Sequence, residues 1–235
     1  MSNKCAIITG ASRGIGAEVA NYFAHKQYDL VLISKNEPRL AKIKNQLLQI
    51  NPTISISSYC VDLSNTQLAD KTAQKILAEQ NKIDVLFNGA GIAIGGTSEL
   101  SIDDFFQQIR VNVMSMFAFI KSVTVRMKEQ KSGYIFNMSS LVGKRALPSN
   151  GGYCASKSAV IGLSQALFFE LLPYNIKVTV LCPGTVDTDM TKKLDMPCEN
   201  KIPTSDIALT LDYLLSLSSV AAIENIDIQC VNRLL

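Results

Sequence analysis

A doubly wound α/β fold, a parallel sheet with helices on both faces, is the class this sequence predicts. Two observations carry it. Apolar runs of strand length alternate along the chain with longer segments of helical period, and the first run ends in a glycine-rich turn that opens a helix. No linker-like composition shift, internal repeat or low-complexity tract divides residues 1–235, so a single domain is expected.

Taken in order, Lys4 to Thr9 reads as a strand, Gly10-Ala-Ser-Arg-Gly-Ile-Gly16 as the turn, and Ile15, Val19, Ala20 and Phe23 as the apolar face of a helix. Glycines let the backbone approach a ligand, and the amides and dipole of a helix start favour a phosphate, so this unit suits a dinucleotide pyrophosphate. Its G-x-x-x-G-x-G spacing differs from the common G-x-G-x-x-G fingerprint and lacks the Gly-Lys-Ser/Thr of a P-loop. A second strand spans Asp29 to Ser34 and a helix Glu37 to Ile50, which completes a βαβ unit. In dinucleotide folds the tip of that strand meets the adenosine ribose. Here the tip is Ser34-Lys35, with no acid, and Lys35 together with Arg13 suits a 2′-phosphate, so NADP(H) is preferred over NAD(H).

Ile54 to Cys60 reads as a third strand, followed by Val61-Asp62-Leu63 and by a helix capped by Ser64 that runs to about Gln80. Ile83 to Phe87 is a fourth strand ending in Asn88-Gly89-Ala90-Gly91, small residues of the kind expected where a cofactor crosses the sheet. Ser101 to Glu129 reads as one long helix with a stripe of Phe105, Ile109, Val113, Met116, Phe117 and Ile120 around Asn112. A fifth strand, Tyr134 to Met138, leads into Ser139-Ser140, a helix spans Gly152 to Leu172, and a sixth strand runs from Ile176 to Leu181. Beyond Pro183-Gly184 and Thr188 lies a polar connection, residues 189–203, expected to face the substrate. A helix over Ser205 to Ser216 and a strand over Asn225 to Val231 close the pattern.

An apolar fraction of 47% fills a sizeable core, and a net charge of +3 with interspersed signs gives no field suited to nucleic acid or an anionic membrane. The start of the chain lacks the layout of a signal peptide and no apolar stretch approaches the ~20 residues of a membrane span, so a cytoplasmic location is expected. The six cysteines, without a C-x-x-C pair, read as reduced, buried thiols. A single histidine, His25, excludes a multi-histidine metal site and makes a serine or cysteine hydrolase depend wholly on that side chain, whose place on a polar helix end favours a surface residue.

The chemistry centres on Gly151-Gly-Tyr-Cys-Ala-Ser-Lys157. Tyr153 and Lys157, four residues apart, share one helical face. A cation beside a phenol favours the phenolate, so Lys157 is expected to lower the tyrosine pKa toward the range of an acid/base catalyst. Hydroxyls at the preceding strand tip, Ser139 and Ser140, compete for a place beside it.

Thr9-Gly-Ala-Ser-Arg-Gly-Ile-Gly16, Asp62, Asn88-Gly-Ala-Gly91, Asn112, Ser140, Tyr153-x-x-x-Lys157 and Pro183-Gly184, in this order, resemble the short-chain dehydrogenase/reductase family over nearly the whole chain. The resemblance implies a Rossmann-type fold and hydride transfer between a nicotinamide and a carbonyl or alcohol carbon. By family spacing the serine is Ser140, thirteen positions before Tyr153. Tyr153 is then the proton donor, Ser140 a hydrogen-bond donor to the substrate oxygen, Lys157 a modulator of the tyrosine that also holds the nicotinamide ribose, and Asn112 the anchor of a water linking the lysine to solvent. It places Gly10, Ser12, Arg13, Ile15 and Gly16 in the cofactor loop, Asp62 and Leu63 at the adenine, Asn88 and Ala90 beside the adenosine half, and Thr188 near the carboxamide, and it counts Pro183 and Gly184, with Ser34 and Lys35 of the strand tip, among the cofactor-binding positions. Substrates implied are small ketones or acyl-thioester carbonyl compounds, and the assembly implied is a homodimer or homotetramer. Three features depart from the family pattern. Gly89 replaces an asparagine and is expected to loosen its turn, the chain ends Asn-Arg-Leu-Leu rather than in the common Asp-Gly-Gly, and the connection after Thr188 is short, which predicts a small lid over an open pocket. The alternative reading is a nucleotide-sensing or scaffolding protein that keeps the fold without turnover.

Overall fold

The computed structural model describes residues 3–231. Seven parallel strands, β1 (Cys5–Thr9), β2 (Asp29–Ser34), β3 (Ile56–Cys60), β4 (Val85–Asn88), β5 (Gly133–Met138), β6 (Ile176–Pro183) and β7 (Asn225–Ile228), form one sheet in the order β3-β2-β1-β4-β5-β6-β7. The order reverses between β1 and β4, the switch point outside whose carboxyl ends open sheets of this type bind ligands.

Side-chain alternation along the strands builds two cores. Ile7, Leu86, Ile135 and Val178 face α3 (Thr66–Glu79), α5 (Ser115–Gln130) and α6 (Gly151–Leu171), where they meet Ile76, Phe119, Val160 and Leu171. Ile8, Leu32, Phe87 and Phe136 face the other way, toward α1 (Gly14–His25), α2 (Glu37–Ile50) and α7 (Thr204–Ser216), and pack with Phe23, Leu40, Leu47 and Leu211. Central strands covered on both faces are the reason the sequence reads as continuous apolar runs. Among the described residues no helix is long and apolar enough to cross a membrane.

Three local expectations change. The third helix is capped by Asn65, whose side chain accepts from the Leu68 amide, and not by Ser64. The Ser64 amide is taken by Asp62 Oδ1 at 2.9 Å in a turn of its own, which delays the helix by one residue. The long helix is interrupted: α4 (Ile102–Ile109), whose Ser101 cap accepts from the Asp104 amide, passes through a π-helical turn over Arg110–Met114 before α5 begins. One extra residue in that turn divides the expected stripe, so Met116 and Ile120 are buried while Phe105 and Phe117 are 37% and 48% exposed. The last strand ends at Ile228 rather than Val231, and the Asn-Arg-Leu-Leu ending lies outside the described residues. Of the six unpaired cysteines four are buried as expected, while Cys60 and Cys198 are exposed.

Phe136 is fully buried at the centre of the sheet. Phe136→Ala is expected to lower the unfolding free energy by about 3–5 kcal/mol, through lost transfer energy and an unfilled cavity. Val220→Ala, at a position 93% exposed, stays within about 0.5 kcal/mol. Urea titration of both variants checks the contrast.

Candidate active site

A cleft of about 450 Å³ lies across the carboxyl ends of β1, β2 and β4, at the switch point. Gly10, Ser12, Arg13, Ile15 and Gly16 of the glycine loop line it, with Ser34, Lys35, Asp62, Leu63, Ala90 and Thr188. Asn88, Pro183 and Gly184 do not line it. Asn88 is buried behind it, its Nδ2 donating to Asn137 Oδ1 at 2.8 Å, while the Pro183 carbonyl accepts from Ser140 and the Gly184 amide donates to Ile228.

The glycines are dictated by contact. A Cβ on Gly16 would stand 2.3 Å from the Gly10 carbonyl oxygen, and one on Gly10, whose φ is +73°, would stand 2.9 Å from the Ala90 backbone. The loop is thus pressed against the 89–91 turn, whose Gly89 and Ala90 amides both donate to Thr9 Oγ1 at 3.1 and 3.2 Å. The Phe87 ring fills the space where a Gly89 side chain would go, 2.4 Å from a Cβ built there.

At the β2 end of the cleft Ser34 Oγ donates to Ser12 Oγ at 2.6 Å, tying the strand tip to the glycine loop. The Asp62 carboxyl is held below its ordinary range, chiefly by the Ser64 amide, with Lys35 adding to the effect. Sequence reading missed two ionic residues here. Arg39, in the first turn of α2, and Asp189, just past Thr188, line the same end of the cleft. Asp189 Oδ2 lies 3.2 Å from Arg13 Nη1 and 3.3 Å from Arg39 Nη1. The 189–203 connection is therefore tied down rather than standing open, with Lys201 Nζ donating to the Thr191 carbonyl as a further tether.

Next to the cleft stands the second group of expected residues. Lys157 is buried in the second turn of α6, and its Nζ donates to the Met138 carbonyl at 2.8 Å. Gly91 joins the two regions, since a Cβ there would stand 3.4 Å from Asn112 Oδ1 and 3.5 Å from Lys157 Nζ. Ser140 Oγ donates to the Pro183 carbonyl at 3.2 Å, and the Ser140 hydroxyl is the group that draws the Tyr153 pKa down. Ser139 turns away, as strand alternation requires, and donates to the Lys157 carbonyl at 2.8 Å.

The side chain of Asn112 is held by three hydrogen bonds to protein groups. Its Oδ1 accepts from the Ile92 amide at 2.8 Å, and its Nδ2 donates to the Ile92 carbonyl and to Ser156 Oγ, both at 2.9 Å. Gln108, four residues earlier and fully buried, accepts from the Ile94 amide at 3.0 Å, so two amides strap the segment after Gly91 to the interrupted helix. Gln108 was legible only as half of an i, i+4 pair with Asn112.

The electrostatics also differ from the expectation. Burial pushes the Tyr153 hydroxyl up to about 12, opposed by the Ser140 hydroxyl. The ammonium is aimed at the Met138 carbonyl and lies 5.7 Å from the tyrosine ring centre. Burial pushes Lys157 itself down to about 8. Near neutrality the phenol therefore carries its proton.

Comparison with known proteins follows this geometry. Residues 4–198 match the family model described as short chain dehydrogenase. The chain is 36% identical over 200 residues to the 3-oxoacyl-(acyl-carrier-protein) reductase FabG of Chlamydia trachomatis, covering 85% of this chain and 80% of that one. It is 31% identical to an uncharacterized oxidoreductase of Staphylococcus saprophyticus, over 98% of this chain and 99% of the relative. Among solved structures, an alcohol dehydrogenase from the archaeon Thermococcus sibiricus complexed with 5-hydroxy-NADP superposes with a TM-score of 0.90 at 29% identity, covering 100% and 99% of the two chains. A betaketoacyl-ACP reductase (FabG) from Bacteroides thetaiotaomicron gives 0.85 at 34% identity over 98% of both.

The shift of Lys157 has a stability consequence of definite sign. The unfolded chain keeps this proton up to about 10.5 and the folded chain releases it from about 8. Across that window the unfolded state binds more protons, so raising the pH stabilises the fold. Lys157→Met removes the group, and its stability advantage over the parent is expected to shrink by about 1 kcal/mol per pH unit between pH 8 and 10. Paired urea melts across that range check it, since the other titrating groups are common to both proteins.

Proposed function

The chain belongs to the short-chain dehydrogenase family, and on that premise we propose that this oxidoreductase is an NADP(H)-dependent carbonyl reductase acting on a ketone or a 3-oxoacyl thioester. The observation that carries the reading is the convergence of Ser140, Tyr153 and Lys157 on one side of Gly91 with the dinucleotide-sized cleft on the other. Names of the relatives in Chlamydia trachomatis and Bacteroides thetaiotaomicron support a 3-oxoacyl thioester among possible carbonyl compounds.

The residues present suit a dinucleotide. Close glycine packing brings amides of the loop to the cleft surface beside the start of α1, as a pyrophosphate requires. Arg13, Lys35 and Arg39 supply cations at the end where a 2′-phosphate would lie, and no acid stands at the tip of β2. When bound, NADPH supplies a hydride to the carbonyl carbon.

The protein's own groups handle the oxygen. Ser140 donates a hydrogen bond to the substrate oxygen and Tyr153 gives it a proton, which turns the developing alkoxide into an alcohol. A phenol that burial keeps protonated is a suitable donor, and Lys157 beside it stabilises the phenolate left behind. Deprived of water contact, an ammonium held at the Met138 carbonyl acts more strongly on that phenolate than the same charge in solvent. Asn112 and Gln108 are positioning residues that keep Gly91 and Ile92 out of the lysine's way.

Assembly into a homodimer or homotetramer belongs to the same reading. Phe117 and Val125 on α5 and Phe169 on α6, 48%, 50% and 66% exposed, are the apolar side chains that would meet a partner copy. A cytoplasmic location accords with six unpaired cysteines.

Tyr153→Phe is expected to lower kcat for acetoacetyl-thioester reduction at least about 100-fold while the Kd for NADPH stays within about twofold. Steady-state kinetics and fluorescence titration give the two numbers. A non-catalytic nucleotide sensor would bind NADPH and turn over no member of a ketone and ketoacyl-thioester panel. Lys35→Ala is expected to weaken NADPH about 3–10-fold and NADH much less, and an equal effect on both cofactors would contradict the role given to Lys35.

A further inference from the structure

The adenosine end of the cleft holds more cationic charge than its single ribose contact needs, and one carboxylate already engages it. Asp189 Oδ2 bridges Arg13 Nη1 of the glycine loop and Arg39 Nη1 of α2 at 3.2 and 3.3 Å. Its other oxygen, Oδ1, lies 2.8 Å from Lys192 Nζ, which does not line this cleft. The two arginine bridges gather elements that are far apart in sequence, and they place one anionic oxygen between two guanidinium groups. An oxygen between two such donors is also how a phosphate monoester is bound by arginines.

We propose that Asp189 is an internal competitor for the 2′-phosphate of the cofactor: its carboxylate occupies Arg13 and Arg39 until NADP(H) takes them, and Lys192 then keeps the displaced carboxylate. The proposal rests on the NADP(H) reading given above. Arg13 and Arg39 side chains are 56% and 50% exposed and Asp189 is 33% exposed, so water screens these bridges and the exchange is cheap. A phosphate monoester carries nearly twice the charge of a carboxylate and more acceptor oxygens, which favours the exchange in its direction. Lys192 removes the usual objection to displacing a paired acid, because Asp189 never loses its last cation. The Arg13 and Lys192 contacts hold the Asp189 carboxyl down at about 2, so the competitor is fully charged at any working pH.

The exchange also has a place to act. Asp189 follows Thr188, whose methyl group would lie 3.1 Å from a Cβ on Gly14, and it begins the connection over the substrate side. Thr191 Oγ1 donates to the Val186 carbonyl at 2.6 Å and Lys201 Nζ to the Thr191 carbonyl at 3.0 Å, so the turn holds its own shape without Asp189. Releasing Asp189 from Arg13 and Arg39 therefore unties this turn from α2 and the glycine loop without unravelling it. A cofactor lacking the 2′-phosphate has nothing to exchange and leaves the tie in place.

The test compares 2′,5′-ADP with 5′-AMP by isothermal titration calorimetry at fixed ionic strength, since the two probes differ by the 2′-phosphate alone. The ratio of their dissociation constants, 5′-AMP over 2′,5′-ADP, is expected to rise about 3–10-fold in both Asp189→Asn and Asp189→Ser, because the competitor is gone. Arg39→Ala is expected to lower it at least about threefold, and Lys192→Met to lower it modestly, because the displaced carboxylate then has no cation. A ratio that falls in the Asp189 variants means that Asp189 orients the arginines for phosphate and overturns the proposal. A parent ratio well above one that the Asp189 variants leave unchanged overturns the competition alone. A parent ratio near one overturns the NADP(H) preference and the competition with it.

Discussion

A cation buried without a carboxylate is the feature on which the rest of this structure depends. Lys157 is closed off from water, and the partner of its ammonium is the Met138 carbonyl at the last residue of β5. Such a group is costly to bury and is tolerated only where its surroundings fix it. Here β5 and α6 are joined at that point from both sides. Ser139 donates to the Lys157 carbonyl, Ser158 donates to the Gly143 carbonyl, and a Cβ on Gly143 would stand 2.8 Å from the Lys157 carbonyl carbon. The same junction sets Ser140 beside the Tyr153 hydroxyl. One constraint, the lysine's place under the strand tip, thus fixes the serine, the tyrosine and the backbone between them.

The second constraint is that the cleft must end where the lysine begins. Gly91 is the boundary, and the 89–94 segment reaches it under tension from two directions. Thr9 takes the Gly89 and Ala90 amides on the β1 side, while Asn112 and Gln108 take the Ile92 and Ile94 amides on the helical side. Asn112 sits within the π-helical turn over Arg110–Met114, and Met116, just beyond that turn, is buried in the core. Dissection of Asp189 from the remaining loop is a smaller matter of charge, yet it occurs at the far end of the same cleft, so both ends are governed by side chains that hold backbone or cations in reserve.

Much of this was legible in the sequence, and the reasons differ from one element to another. Strand and helix alternation foretold the sheet because both faces are covered, Tyr153 and Lys157 were legible because the helical period places them on one face, and Ser140 was legible through the family spacing to Tyr153. Gly10 and Gly16 were legible as glycines without the contact that requires them, the 2.3 Å approach to the Gly10 carbonyl. Hidden features depend on partners distant in sequence. Asp189 is 176 positions from Arg13, Asn112 looks like a free amide until Ile92 is beside it, and the phenol's pKa follows from burial that a cation four residues away does not reveal.

The central claim is that Tyr153 and Lys157 serve hydride transfer to a carbonyl carbon. The most direct measurement is a single turnover of acetoacetyl thioester with NADPH deuterated at the transferable C4 position, read by mass spectrometry of the product. The account predicts one deuterium per product molecule, on the carbon that was the ketone, with the hydroxyl proton drawn from solvent. Complete cofactor binding with no deuterium in any product, from this thioester or from simple ketones, would contradict it.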